Sequence, residues 1–170
     1  MKHVLFSFIV FAAFFAAFSA NAKTIRISTD NTDLILQVGD NGRLYQAYLG
    51  EKLMNDREAT SFSWESGRGS DGGASKRGWY VMSGNGNEDY DEPAISILHG
   101  DGNPSTYLYY ISHKQEAING GTETTITLKD DKYPVTVKLH YVAYSKENVF
   151  KIWTEISHTE KLPIKMQQYA

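Results

Sequence analysis

Beyond residue 22 the apolar side chains recur at every second position, and most of the residues that carry the alternation are β-branched or aromatic. That is the pattern of strands that bury one face. Thr24–Thr29 and Asp33–Val38 read as two strands joined through Asp30-Asn31, and Gly39-Asp40-Asn41-Gly42 turns the chain into a third, Arg43–Leu49. Asp, Asn and Gly suit such turns because they tolerate positive φ or bond their own backbone. Further strands are expected at Ile95–His99, Thr106–Ser112, Glu123–Lys129, Val135–Tyr144 and Val149–Ser157, with Gly- and Asn-rich connections between them. No segment after Lys23 carries a convincing helical period. Short strands at regular spacing with no major helix predict an all-β fold, an antiparallel β-sandwich.

Two of these strands carry the clearest pattern. Val135, Val137, Leu139 and Tyr141 share one face while Thr136, Lys138 and His140 share the other, and Phe150, Ile152, Thr154 and Ile156 likewise oppose Lys151, Trp153 and Glu155. They are expected to pair as a long hairpin at the centre of the core, where full burial of a large apolar side chain contributes about 1.5–3 kcal/mol. Ile164–Tyr169 alternates once more and reaches Ala170 without a turn or capping signal. A strand that stops in this way leaves an open ladder, so the domain, residues 23–170, is expected to be incomplete at its C-terminus.

Residues 1–22 stand apart. Lys2 and His3 precede an apolar run from Val4 to Phe18 and the small-residue site Ala20-Asn21-Ala22. The run is shorter than the ~20 residues of a membrane span, so the segment reads as a signal peptide removed before Lys23. A periplasmic or secreted product follows, with no membrane association after cleavage. The chain has no Cys, so neither a disulfide framework nor a thiol nucleophile is available. Its 17 basic and 20 acidic residues are mixed along the sequence, leaving a net charge of -3. With no basic stripe for phosphate contacts, nucleic acid is not an expected partner. His99, His113, His140 and His158 are scattered, with no His-x-His pair, and no zinc or copper site or cofactor is expected.

The densest chemistry lies in Gly86–Ala94, reading Gly-Asn-Glu-Asp-Tyr-Asp-Glu-Pro-Ala. On extended backbone Asp89 and Asp91 point to one side with Cα atoms roughly 6.6–6.8 Å apart, so their carboxyls can approach the ~5–9.5 Å separation of glycosidase pairs. A general acid, however, needs an apolar pocket to raise its pKa, and this loop is rich in Gly and Asn. A solvated acidic loop and an oxygen-ligand Ca²⁺ site are the other readings of the same residues. Upstream, Gly67-Arg68-Gly69-Ser70-Asp71-Gly72 matches Gly-x-Gly-x-x-Gly, but Trp79-Tyr80-Val81-Met82 beyond it reads as a strand rather than the helix that dinucleotide binding requires. Trp64, Trp79, Tyr80, Tyr107, Tyr109 and Tyr110 are either sugar-stacking platforms or core and cross-strand pairs. Trp79, beside the Gly-rich stretch, is the best platform among them.

The Gly86–Ala94 stretch resembles a signature of the N-terminal β-domain of family 36 glycoside hydrolases, the bacterial α-galactosidases. That family shows Gly-Asn-x-Asp-aromatic-Arg-x-Pro-Ala, and this chain supplies Gly86, Asn87, Asp89, Tyr90, Pro93 and Ala94 in register. It departs by placing Asp91 where the basic residue is expected. Long alternating strands of the right order continue the resemblance from Lys132 to Ala170.

The resemblance implies a supersandwich-like N-terminal domain, truncated before the catalytic (β/α)8 barrel. It implies that the Asp89 loop reaches over the barrel's mouth, sometimes from a neighbouring subunit in a homo-oligomer, and helps hold galactosyl hydroxyls. The expected substrate-binding residues are therefore Asp89, Trp79 and Asp91, and the expected ligand is an α-galactoside oligosaccharide. The family's catalytic Asp pair lies in the barrel, so no catalytic residue is assigned here and the chain alone is expected to be inactive. Two other functions compete: a stand-alone carbohydrate-binding module, and a ligand-free structural or assembly domain with Ile164–Tyr169 seeking a partner strand.

Overall fold

A computed structural model of the chain describes residues 23–62, 79–86 and 92–169. The segments expected to form the signal peptide and the Gly-rich loop, together with Trp64, lie outside the described residues. Ten strands and one short helix follow in the order β1 (Lys23–Ser28), β2 (Thr32–Val38), β3 (Leu44–Glu51), α1 (Asp56–Ser61), β4 (Trp79–Tyr80), β5 (Ile95–Leu98), β6 (Leu108–Ile118), β7 (Gly121–Asp130), β8 (Val135–Tyr144), β9 (Val149–His158) and β10 (Lys165–Tyr169). One sheet has the order β1-β2-β3-β4, a second β6-β7-β8-β9, and β10 pairs with β5 in a ribbon. Every pairing between these strands is antiparallel. The fold is the all-β, sandwich-like architecture that the alternation predicts.

The core is one cluster drawn from both sheets and the ribbon. Ile25 and Leu36 come from the first sheet, Ile126 and Val137 from the second and Ile97 from β5. In β8 the predicted inward set, Val135, Val137, Leu139 and Tyr141, is buried. Burial pushes the Tyr141 hydroxyl pKa up to about 12, since no charge partner repays desolvation of a phenolate.

The β8–β9 hairpin has the expected register, unbroken from Val135↔His158 to Tyr144↔Val149. Only half of it is central, however. β8 has neighbours on both sides, whereas β9 ends the sheet, and Ile152 on its inner face is 56% exposed. Alternation reports which face turns inward, not whether a further layer covers it.

The β10 register joins Lys165↔Leu98 and Tyr169↔Ile95, so the last alternating segment is paired along one side. Strand β6 runs to Ile118, past the expected Ser112, because its far half is polar and exposed and so leaves no buried alternation to read.

Helix α1 has no counterpart in the sequence reading. It is too short to display a period, but its start is encoded locally. Asn55 Oδ1 accepts from Arg57 N at 3.0 Å and Glu58 N at 3.2 Å, while Glu58 Oε2 accepts from Met54 N at 2.8 Å. This reciprocal arrangement satisfies amides that a helix N-terminus leaves without partners. The segment entering it is tied to the first sheet by Arg26, which donates to Asp33 Oδ2, Asp56 Oδ1 and Leu53 O.

Candidate functional site

The acidic motif sits on a loop whose two stems are fixed. On the outgoing stem, Val81 N donates to Leu44 O at 3.1 Å, continuing the β4 edge. Ser83 then meets the returning stem twice: its Oγ accepts from Ala94 N at 2.9 Å and its carbonyl accepts from Ile95 N at 3.1 Å. Gly84 bridges Ile95 in parallel. Residues 83–86 and 92–95 therefore close the base of the loop that carries the motif. Asp89 and Asp91 themselves lie outside the described residues, as does the side chain of Trp79.

A third segment, Asn103–Tyr107, braces this base. Thr106 N donates to Asn85 O at 2.9 Å, Asn85 Nδ2 donates to Pro104 O at 3.3 Å, and the Tyr107 hydroxyl donates to Gly86 O at 2.9 Å. The approach is so close that a Cβ on Gly84 would fall 2.0 Å from Thr106 O. Gly86 adopts φ +82°, and a Cβ there would meet Ser105 Oγ at 2.6 Å. Both glycines are thus required by the fit of loop base to brace, and Gly86 also by its backbone conformation. Gly84→Ala is expected to lower unfolding free energy by about 1–3 kcal/mol through overpacking, read as a shift of the urea midpoint at unchanged m-value.

The brace is held in turn by a buried contact between a histidine and a carboxyl group. His99 Nδ1 lies 2.7 Å from Glu160 Oε1 and its Nε2 lies 3.1 Å from Ser105 O. The two side chains are 0% and 9% exposed. Ser105 O can only accept, so Nε2 carries a hydrogen. Burial opposes the Glu160 charge, but hydrogen bonds from His99 and from Gly100 N outweigh it and hold the carboxyl below its ordinary range. Tyr133 stacks on the His99 ring at 3.6 Å, and its hydroxyl donates to Asp101 Oδ2 at 2.9 Å. The support therefore runs from the β9–β10 connection through His99 to the loop base, and Gln168 of β10 adds a bond to Glu92 Oε1 at 2.7 Å.

Several aromatics prove to be parts of this scaffold. Tyr107 is a strut for Gly86, with Lys132 Nζ 5.3 Å from its ring centroid. Tyr80 lies under the Arg43 guanidinium at 4.1 Å and against Tyr45 at 4.6 Å. Tyr109 lies against Gly42, and Tyr110 bonds His113 Nδ1 through its hydroxyl at 2.9 Å. Sequence reasoning missed Ser83 and Glu160 and weighed His99 only as a metal ligand, because none of the three belongs to a motif that would give a local signal of this role. Among the described residues no group of three or more His, Asp or Glu side chains converges on a point where a metal would be held.

Residues 42–170 match the glycosyl hydrolase family 36 N-terminal domain. Comparison with curated protein sequences gives no match. Among solved structures, the chain is similar to the galactosidase domain of the α-galactosidase-sucrose kinase AgaSK, at TM-score 0.69 and 22% identity over 88% of this chain and 24% of that one. It is also similar to a variant of the α-galactosidase AgaA of Geobacillus stearothermophilus, solved in complex with 1-deoxygalactonojirimycin, at TM-score 0.68 and 21% identity over 86% and 24% of the two chains. The α-galactosidase of Lactobacillus brevis aligns at TM-score 0.68 and 16% identity over 88% and 23%. The chain thus spans about a quarter of the length of these structures, which share its fold. Since the family match runs from the turn before β3 through β10 and takes in the braced loop with its Gly-Asn-x-Asp motif, the chain belongs to the glycosyl hydrolase family 36 N-terminal domains.

Proposed function

We propose that this chain is the N-terminal domain of an exported α-galactosidase-like enzyme and that its Gly86–Ala94 loop contributes Asp89 to the substrate pocket. The observation that supports the reading is the braced loop base. Two stems are clasped by Ser83 and a third segment is pressed against Gly84, so both ends of the stretch that carries the motif are held, as positioning of a ligand group requires. A carboxylate suits the task because it accepts charge-assisted hydrogen bonds from sugar hydroxyls without becoming the nucleophile. Asp91, in the same loop, and Trp79, at its outgoing stem, would complete the contact surface.

Chemistry would occur in a barrel domain outside this chain, by the retaining route. One carboxylate attacks the anomeric carbon and a second acts first as acid and then as base. This chain supplies neither, so on its own it is inactive. With residues 1–22 as a signal peptide, the enzyme would meet its α-galactosides in the periplasm or outside the cell.

In the complete enzyme, Asp89→Asn is expected to lower kcat/KM for α-galactosides by roughly ten- to a hundredfold, the loss of one charge-assisted hydrogen bond of about 1.5–3 kcal/mol. The unfolding midpoint should stay unchanged, since the substitution lies on the loop and not on its brace. Unaltered kcat/KM in a folded variant would remove Asp89 from the pocket.

A further inference from the structure

We infer that Asn119, at the tip of the β6–β7 hairpin, is a deamidation site, where the Gly120 amide nitrogen displaces the side-chain amide and an aspartate or isoaspartate takes its place. The described residues hold three Asn-Gly pairs, Asn41-Gly42, Asn85-Gly86 and Asn119-Gly120, and the fold treats them differently. Both polar ends of the Asn41 side chain are engaged: Nδ2 donates to the Tyr45 hydroxyl at 2.8 Å and Oδ1 accepts from Arg43 N at 3.1 Å. The amide that would attack it, Gly42 N, donates to Gly39 O at 2.8 Å. Asn85 is half-buried, and its Nδ2 is tied to Pro104 O at 3.3 Å in the loop base. Asn119 is exposed. Among the described residues its side chain has no partner, and nothing accepts from Gly120 N.

The reaction needs a nitrogen lone pair, an unhindered carbonyl carbon and a leaving group free to depart. Gly120 N gives its proton to solvent hydroxide and attacks Asn119 Cγ. As the N–Cγ bond forms the Cγ–Nδ2 bond breaks, and Nδ2 takes up a proton and leaves as ammonia. Water then opens the cyclic imide, giving aspartate when the new N–Cγ bond breaks and isoaspartate when the original peptide bond breaks. Nothing is oxidised or reduced, and water is the only co-reactant. Glycine permits the approach: Gly120 adopts φ +82° and has no side chain to shield its nitrogen, and a Cβ there would find Tyr144 Cδ1 no nearer than 3.9 Å. An exposed tip of small residues is also where the chain most readily samples the conformation that brings nitrogen to Cγ. All of these conditions lie within the turn itself, which is set by the pairing of Ile118 with Gly121 and by Ser145 N donating to Gly120 O at 3.1 Å. The inference concerns this chain's own residues and does not depend on the galactoside reading.

Peptide mapping by mass spectrometry of the purified chain, aged in mildly alkaline buffer, tests it. Trypsin frees Asn119 in the peptide Gln115–Lys129, which contains no other asparagine. This peptide should gain the mass of an amide exchanged for an acid and separate into two forms, aspartate and isoaspartate. Its rate should exceed those at Asn41 and Asn85 by about tenfold or more, since those sites must first open their hydrogen bonds. It should also rise about tenfold per pH unit, as attack by a deprotonated nitrogen requires. In urea that unfolds the chain the three rates should converge, because all three sites share one dipeptide. An Asn119 that keeps its amide in the folded chain overturns the inference, as does an Asn41 or Asn85 that reacts equally fast there. A lead for Asn119 that survives unfolding overturns it too, because the fold would then not make the choice.

Discussion

Replacing His99 by Leu is expected to destabilise the domain by about 1–3 kcal/mol, the cost of leaving the buried Glu160 and Ser105 acceptors without their donor. The histidine links three elements that are distant in sequence. Its ring stacks on Tyr133 at 3.6 Å, its Nε2 meets Ser105 O, and its Nδ1 meets Glu160, whose second oxygen accepts from Gly100 N at 3.1 Å. With the imidazole gone, the Glu160 carboxylate keeps only the amide of Gly100 in a site with little water. Glu160→Gln, which keeps an acceptor for that amide, should cost about 1 kcal/mol. His99→Leu/Glu160→Leu should recover much of the single-variant loss, because no charge is then left buried. Urea unfolding of the three variants gives the comparison. A loss under 1 kcal/mol for His99→Leu would mean that the β9–β10 connection is held by other contacts.

The second large effect belongs to Asp33 and has a pH signature. Asp33 is fully buried. Its Oδ2 accepts from Arg26 Nε at 3.1 Å, Arg26 Nη2 at 2.7 Å and Leu53 N at 2.8 Å. Burial raises the cost of its charge, but these donors outweigh that cost and hold the carboxyl below its ordinary value of 3.8. Asp33→Ala is expected to cost about 3 kcal/mol, since Arg26 and the Leu53 amide both lose a buried acceptor. Because the folded pKa is depressed, the contribution is present in full above the unfolded value and disappears as pH falls below 3.8. Glu160 has the same sign from an ordinary value of 4.5. Thermal melts should therefore be flat above about pH 5 and fall steeply below pH 4, and the fall should be shallower in Asp33→Ala. An equal slope in wild type and variant would place the acid sensitivity elsewhere.

How much was legible in the sequence differed between elements for physical reasons. Strands with one dry face announced themselves: β8 was readable because Val135, Val137, Leu139 and Tyr141 are apolar while Thr136, Lys138 and His140 between them are polar. The outer half of β6 was not, because Ser112, Lys114 and Glu116 of one face and Gln115 of the other all meet solvent or polar partners, and pairing there depends on β7 rather than on burial. Helix α1 was invisible to periodicity, although its Asn55-x-x-Glu58 start was present to be read.

The acidic motif was found because its residues are contiguous. The machinery that braces it was not, because Ser83, Thr106, His99 and Glu160 come together only through folding. Tyr107 shows the difference most clearly: its type left a sugar platform and a core or cross-strand pair both open, and its position makes it a hydrogen-bonded support for Gly86.

The central claim is that this domain serves an α-galactosidase. It is tested most directly by capturing the native product from its source cell with an antibody raised against residues 23–169, measuring its mass and assaying it on an α-galactoside. The account predicts a protein about four times the length of this chain, in keeping with the 24% of the AgaSK and AgaA chains that it covers, and α-galactosidase activity that depletes with the antibody. A product of this chain's own size, with activity left behind in the unbound fraction, would contradict it.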